Sequence, residues 1–503
     1  MEQVSVDIAM EKTSQEILEA VKMIRTMVVD ASTFDWKAFW ANTATGELFS
    51  TKFYNYEKST SPAGEKMNDS VGLVATPSTD KAKNRDDFAA RNAFTFIDCN
   101  FQYNENSQKI PTAIAGGKGF ANTGKVDVGI IVPPTYWGKE EYEDYYIMHF
   151  SDTPHPEVGC TTPTPWTDTE LGYGILTKYY AGLIDGLAYS SSGNAVYNFV
   201  SAQSGNAALQ KRGAGYIGSG AERTAYLLCM LWMKYATKNS QAVLKGNTNN
   251  NCQYKVIETG EGVSYVVIAT TQANNLYVGE DVSIGDATGK TDYDRGNSYM
   301  RNIADKVQIT KIEPIEGTSN SRVYVDKTDM MITAETRISN MPLHSGTTDT
   351  VLGADGYLAN DGKHAFKLGG IEEGIGAYFI SMNELWNKTT ATIVDYYVRP
   401  KGTAWSGTGS GWKKVATADL LNSGDEWIGD IGIDLATGAI WMKKAGSGES
   451  VGVGDRVYKG GTGTGWREAL RRGSLWGGGS AGLCCAYLGY DVSNARWNFA
   501  LCI

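Results

Sequence analysis

Apolar positions divide the chain into stretches of different period. Between residues 1 and 30, Ile17, Val21, Ile24 and Val28 step by four, three and four with Glu and Lys between them, the spacing of a helix with one apolar stripe. Fewer than two clean heptads are visible, so a short coiled-coil seam and a helix packed on its own domain both stay open. From Asp30 to about Phe150 the text turns aromatic and turn-rich (FDWKAFW, STKFYNY, NAFTFIDCNFQYN, VDVGIIVPPTYW). Short alternating runs between Gly, Asn and Pro predict a small β-rich N-terminal domain over 31–150. A second unit opens near Ser151 with a Pro-rich stretch. It contains AERTAYLLCMLWMKYATKNSQ, where Tyr226, Met230, Met233 and Ala236 share a stripe flanked by Leu227, Leu231 and Lys234. Being apolar almost all round, this helix is expected in the core. Over 246–340 the runs YKVIET, VSYVVIATT, LYVGEDVSIG, KVQITKIEPI and RVYVD alternate between charged and Gly-containing turns, as in an inserted all-β module, a small barrel or sandwich. The expected class is therefore α+β, with the insert interrupting a C-terminal domain made of 151–245 and 341–503.

Composition sharpens this picture. Of 13 tryptophans, Trp386, Trp405, Trp412, Trp427, Trp441, Trp466, Trp476 and Trp497 lie beyond Met341, and Gly reaches 58 of 503 residues. Gly-built loops anchored by Trp are the expectation there. A formal net charge of -10 gives no attraction to a nucleic-acid backbone or an anionic membrane, so neither is expected as partner. The first residues, MEQVSVDIAMEKTSQE, lack a basic stretch followed by an apolar one, and no apolar run approaches the roughly 18 residues of a membrane span. Neither export by such a signal nor membrane insertion is expected. Seven cysteines (Cys99, Cys160, Cys229, Cys252, Cys484, Cys485, Cys502) show neither CxxC nor finger spacing, so they are read as buried thiols.

The stretch TGWREALRRGSLWGGGSAGLCCAYLGYDVSNARWNFALCI carries Trp466-Arg467-Glu468, an Arg472-Gly473-Ser474 turn, Trp476, Ser480-Ala481-Gly482-Leu483, Ser493-Asn494 and Trp497-Asn498. These features resemble the variable region of proteins diversified by diversity-generating retroelements. Upstream, Tyr235 to Gln241 and Phe366-Lys-Leu-Gly369-Gly370-Ile371-Glu372-Glu373, followed by Gly376 and Trp386, resemble the C-type-lectin-like framework of those proteins and of formylglycine-generating enzymes. The likeness covers roughly 150–250 and 341–503 and leaves the first 150 residues aside. It implies a variable region over about 466–503. Diversified codons in that family end in cytosine and do not encode Trp, Lys, Glu, Gln or Met. Leu475, Gly477, Gly478, Cys485, Tyr487, Gly489, Tyr490 and Arg496 are all reachable under that restriction and form the expected ligand face. Trp466, Trp476, Trp497 and Asn498 are its expected scaffold. Alternation of Cys484, Ala486 and Leu488 with Cys485, Tyr487 and Gly489 suits a strand with one face to the core and one to solvent, and tyrosines supply contact area at low entropy cost.

Other chemistry finds less support. His149, His155, His344 and His364 are isolated, without HExxH or His-x-His, so no metal or other cofactor is expected. Gly448-Glu449-Ser450-Val451-Gly452 has the GxSxG form but no helix pattern follows it, and GTGTGW at 461–466 follows no βαβ pattern. Asp286-Ala-Thr and Asp292-Tyr-Asp-Arg read as solvated acidic turns. Asn498 is followed by Phe499 rather than Asp and no Glu-Pro-Asn occurs, so calcium-dependent sugar binding is not expected. Adjacent strand residues such as Cys484 and Cys485 point to opposite faces, a poor arrangement for the cooperating thiols of a formylglycine-generating enzyme.

The resemblance thus implies no enzyme but an adhesin, a phage tail protein that binds a host cell-surface receptor, or a bacterial cell-surface relative of one. Its N-terminal part would anchor it to the tail or surface and form a homo-oligomer, a trimer by analogy with phage fibres. An oxidative enzyme of the formylglycine-generating type and a purely structural tail component are the alternatives.

Overall fold

A computed structural model describes residues 31–421 and 424–503. The helix expected within 1–30, and the trimer it motivated, lie outside the described residues. Among the described residues strand makes up 37% and helix 12%, so helix is a minor partner there. The described α-helices are α1 (Trp36–Thr43), α2 (Ala202–Gln210), α3 (Ala221–Tyr235) and the single turn α4 (Thr270–Ala273).

α3 is the axis of the main core. Every residue from Arg223 to Lys234 is buried, as expected of a helix apolar all round. Tyr226 meets Trp166 edge-on at 5.3 Å and donates from its hydroxyl to Gly369 O at 2.8 Å. The one cation on the buried stretch beyond Arg223, Lys234, is neutralised by Asp86 at 2.7 Å and Asp355 at 2.5 Å. Burying it uncompensated would be costly. The helix stops where Ala236 adopts the left-handed conformation and donates its N–H back to Trp232 O.

Around α3 pack residues from both sides of the boundary expected at 150. Phe49, Phe53 and Trp137 share one core with Leu227 to Met233, Trp386 and Leu483. Two sheets cross the boundary as well. Asp127–Val132 pairs with Gly174–Thr177, and Tyr136–Glu141 with Thr162–Pro163. Residues 31–150 are therefore not packed as a separate unit. Their edge strands find partners beyond 150, because a strand left unpaired leaves backbone groups unsatisfied.

The insert has a core of its own. Six of its eight strands form one sheet in the order Gln253–Lys255, Thr336–Asn340, Asp281–Asp286, Ala304–Pro314, Asn320–Val325, Tyr265–Ala269, and Gly260–Val263 pairs with Met330–Ile332. The two ends of this order meet where Ile257 N donates to Val267 O at 2.8 Å, which nearly closes a barrel. Val266, Ile268, Val282, Ile284, Ile309, Val323, Val325 and Ile338 fill it, the inward half of the alternation read from sequence.

Beyond Met341 a nine-stranded sheet carries the C-terminal segment. Tyr378–Lys388 is its spine, pairing antiparallel with Gly465–Arg471 and Ile393–Val398 and parallel with Phe499–Ala500. Among the described residues no helix is long and apolar enough to cross a membrane.

Candidate ligand-binding face

The C-terminal segment is pinned from beneath by charges buried among the sheets. At the end of Gly465–Arg471, the Arg471 guanidinium lies 2.5 Å from Glu384 Oε1, donates to Ile440 O at 2.9 Å and sits over the Trp386 ring at 4.6 Å. Arg472 follows in the left-handed region with φ +66° and turns the chain. Its Nη1 donates to Leu483 O at 2.9 Å, and its Nε lies 3.3 Å from Glu373 Oε2. Glu373 also faces Arg223 at 3.3 Å and accepts from the Tyr180 hydroxyl. Burial pushes its carboxyl upward, but Arg472 and Arg223 together hold it below the usual range.

Asp455 clamps the next turn. Its two carboxylate oxygens accept from Gly482 N and Cys484 N, each at 2.8 Å. Here glycine is required, since a Cβ on Gly482 would stand 2.3 Å from Ser240 Oγ and 2.4 Å from Asp455 Oδ1. The loop 474–480 is tied to the stretch that leads into the barrel: Gly478 N donates to Thr248 O at 2.8 Å and Asn250 N to Leu475 O at 2.9 Å.

On this frame the residues expected to form the face separate into three groups. Tyr487, Tyr490 and Arg496 are half-buried and adjacent. The Tyr487 and Tyr490 rings stack at 4.9 Å and 14°, Tyr458 stacks on Tyr487 at 5.8 Å, and Arg496 lies over Tyr490 at 5.1 Å. Gly478 has open space where a side chain would project, though its φ is +53°. Gly477 and Gly489 are half-buried without such space. A Cβ on the first would meet Ala481 Cβ at 2.4 Å, and on the second the Tyr487 ring at 2.3 Å.

Leu475 and Cys485 are corrections, since both are fully buried. Leu475 packs with Met341 and Trp497. Cys485 precedes a strand of two residues, Ala486–Tyr487, and lies in the turn closed by its N–H to Gly482 O. The expected alternation therefore does not extend to it. Trp476 departs in the opposite sense. Expected as scaffold, it is 48% exposed and stands edge-on against buried Trp497 at 5.4 Å. Trp497 and Asn498 are buried as scaffold residues should be, and Trp466 is half-buried against Tyr397 at 5.0 Å.

The barrel contributes residues that sequence reasoning missed. Arg295 lies over the Trp497 ring at 5.0 Å, and Asp294 Oδ2 is 3.7 Å from Arg496 Nη2. Tyr458 was missed too. Alternation in Arg456-Val457-Tyr458 was its only signal, because its pairing with Tyr487 joins strands distant in sequence.

The patch has the chemistry of a contact surface, with aromatic rings, an arginine and a few hydrogen-bonding edges on a rigid base. Burial raises the Tyr487 phenol to about 12, with Tyr490 adding to the shift, so it is a neutral hydrogen-bonding group at physiological pH. Cys484 and Cys485 offer little to thiol chemistry: both are buried, and burial pushes both thiols upward, away from thiolate. The four histidines each lie beside a different carboxylate: His149 by Glu140, His155 by Glu157, His344 by Asp281, His364 by Asp361. Among the described residues no three His, Cys, Asp or Glu side chains converge as a metal site. Neither a comparison with protein-family models nor one with curated proteins returned a match to this chain.

Proposed function

We propose that this chain is a receptor-binding adhesin, a phage tail protein or its cell-surface counterpart, whose C-terminal segment is a retroelement-diversified face on a C-type-lectin-like frame. The observation that carries the reading is the half-buried stack of Tyr487 and Tyr490 with Arg496 over the second ring, beside an exposed Trp476, on a segment whose backbone is held by the buried Arg471, Arg472 and Asp455 contacts. Side chains can be exchanged above such a frame without disturbing the backbone beneath it. Ligand contact is assigned to Tyr487, Tyr490, Arg496, Trp476 and the open position at Gly478, with Leu475 and Cys485 set below the face. The protein acts by binding rather than by catalysis, and oligomerises through its N-terminal residues so that several faces engage one cell.

Sequencing this gene from many cells of one population tests the diversification. Differences are expected to concentrate at Tyr487, Tyr490, Arg496 and Gly478 and to spare Trp476 and Trp497, whereas an unvarying C-terminal segment would overturn the proposal. Binding is tested separately by Tyr487→Ala with Tyr490→Ala. Removing two stacked anchors is expected to weaken attachment to the host cell by at least about tenfold in a variant that circular dichroism shows to be folded, and undiminished attachment would remove these residues from the face.

A further inference from the structure

None of the residues of that patch lines a second feature of the molecule, a half-open cleft of about 1200 Å³. It exceeds the roughly 300–1,000 Å³ of sites for small compact ligands. Its walls come from the hairpin after Tyr103, the segment 165–175, helix α2, the start of α3 and the segment 399–405.

The charges in these walls are largely answered from within. Asp168 is paired with Lys401 at 3.0 Å. Glu222 accepts from Gly220 N at 2.7 Å and from Asn383 Nδ2 at 3.0 Å. Arg399 donates to Ile217 O at 3.0 Å. Lys109 donates to Thr177 Oγ1 at 2.8 Å and lies over the Phe101 ring at 5.0 Å, and burial lowers its ammonium to about 8. Among the described residues Arg399 and Lys109 have no side-chain carboxylate within ion-pair distance, but Arg399 is buried and Lys109 half-buried, and both are already bonded to protein oxygens, which favours a neutral ligand over a strongly charged one.

What the cleft offers is half-buried aromatic surface from Trp405 and Tyr103, together with the carboxamides of Asn206 and Gln210 on α2, while those of Asn383 and Gln108 are engaged by protein groups. Asn206 Oδ1 is buried without a hydrogen-bond partner, an acceptor that a hydroxyl donor would satisfy. Aromatic faces take apolar C–H surfaces, and carboxamides both donate and accept. A pyranose presents that combination: C–H groups on its faces and hydroxyls around its edge. We propose that this cleft is a binding site for a neutral oligosaccharide of several units, separate from the tyrosine patch.

The test is binding of the purified full-length protein to an array of neutral, acidic and amine-bearing oligosaccharides, with a random peptide set alongside. It involves no host cell, so its outcome is independent of whether the tyrosine patch binds a receptor. The expected result is retention of at least one neutral oligosaccharide, with affinity by calorimetry falling about tenfold or more in Trp405→Ala, which removes the aromatic platform. Asn206→Ala, on a helix surface, is expected to weaken the same ligand and serves if Trp405→Ala fails to fold. The proposal is overturned if only charged oligosaccharides or only peptides are retained, if nothing is retained, or if folded variants bind as the parent does.

Discussion

Asp455 shows how one residue can set the behaviour of a surface it does not reach. It is fully buried, its two oxygens fix the Gly482 and Cys484 amides, and burial raises its carboxyl from the usual 3.8 to about 7. A carboxyl with a raised folded-state value stabilises the fold while it is protonated. That contribution is complete below about 4, where the unfolded chain is protonated too, and is lost as pH rises through about 7. Asp455→Asn keeps one acceptor oxygen and removes the titration. The variant should be less stable than the parent at pH 5, with the gap narrowing steadily toward pH 8, as read from urea midpoints across that range. A constant gap would mean that Asp455 does not titrate there. Little of this was legible beforehand. A restriction on codons says which residues mutagenesis reaches, whereas burial is decided by neighbours distant in sequence, such as Met341 beside Leu475. Leu475 and Cys485 were misplaced for that reason, and Trp476 because a residue the codon restriction excludes was assigned to the scaffold whether or not its neighbours cover it.

At the scale of elements, legibility followed locality. Helix α3 declared itself by being apolar on all sides, and the barrel strands by alternation between turns, both patterns contained within a few residues. The boundary near 150 failed because strand partners such as Asp127–Val132 and Gly174–Thr177 are chosen across the chain, which no local period records. The joint between elements is similarly non-local. Glu373 connects α3, through Arg223, to the turn after Gly465–Arg471, through Arg472. Glu373→Gln would leave two guanidinium groups buried without their counter-charge, a change that typically costs about 3–5 kcal/mol. Equilibrium urea unfolding is expected to register a loss of that order, and a loss below about 1 kcal/mol would show that the arginines are satisfied by carbonyls alone. Because the same carboxylate steadies the turn under the tyrosine patch, host-cell attachment should fall with it even where the variant remains folded.

For the molecule as a whole, the barrel is the part whose removal is most informative. Its entry and exit lie side by side, with Asn340 N donating to Cys252 O at 3.2 Å and Gln253 opposite Ser339, so a short Gly-Ser linker in place of 253–339 would rejoin the chain without strain. The barrel's apolar core is distinct from the one around α3, although the barrel's Tyr277 packs against a third cluster that contains Tyr180 and Phe379. Excision would nonetheless remove Glu280, which accepts from Asn250 Nδ2 at 2.6 Å, and Lys306, which donates to Asn198 Oδ1 at 3.1 Å. Each lost partner of a buried polar group costs about 1–3 kcal/mol. The shortened protein is therefore expected to remain folded with one cooperative transition at a lower temperature, and the isolated 251–341 segment to melt cooperatively by itself. Attachment would separate two roles for the barrel. With Asp294 and Arg295 gone, Arg496 and Trp497 lose their contacts on that side. Weakened binding by a shortened protein that is still folded would make the barrel part of the binding face, and unchanged binding would make it a neighbour only. A shortened chain that aggregates, beside a segment that does not melt cooperatively, would refute the independence of the two cores.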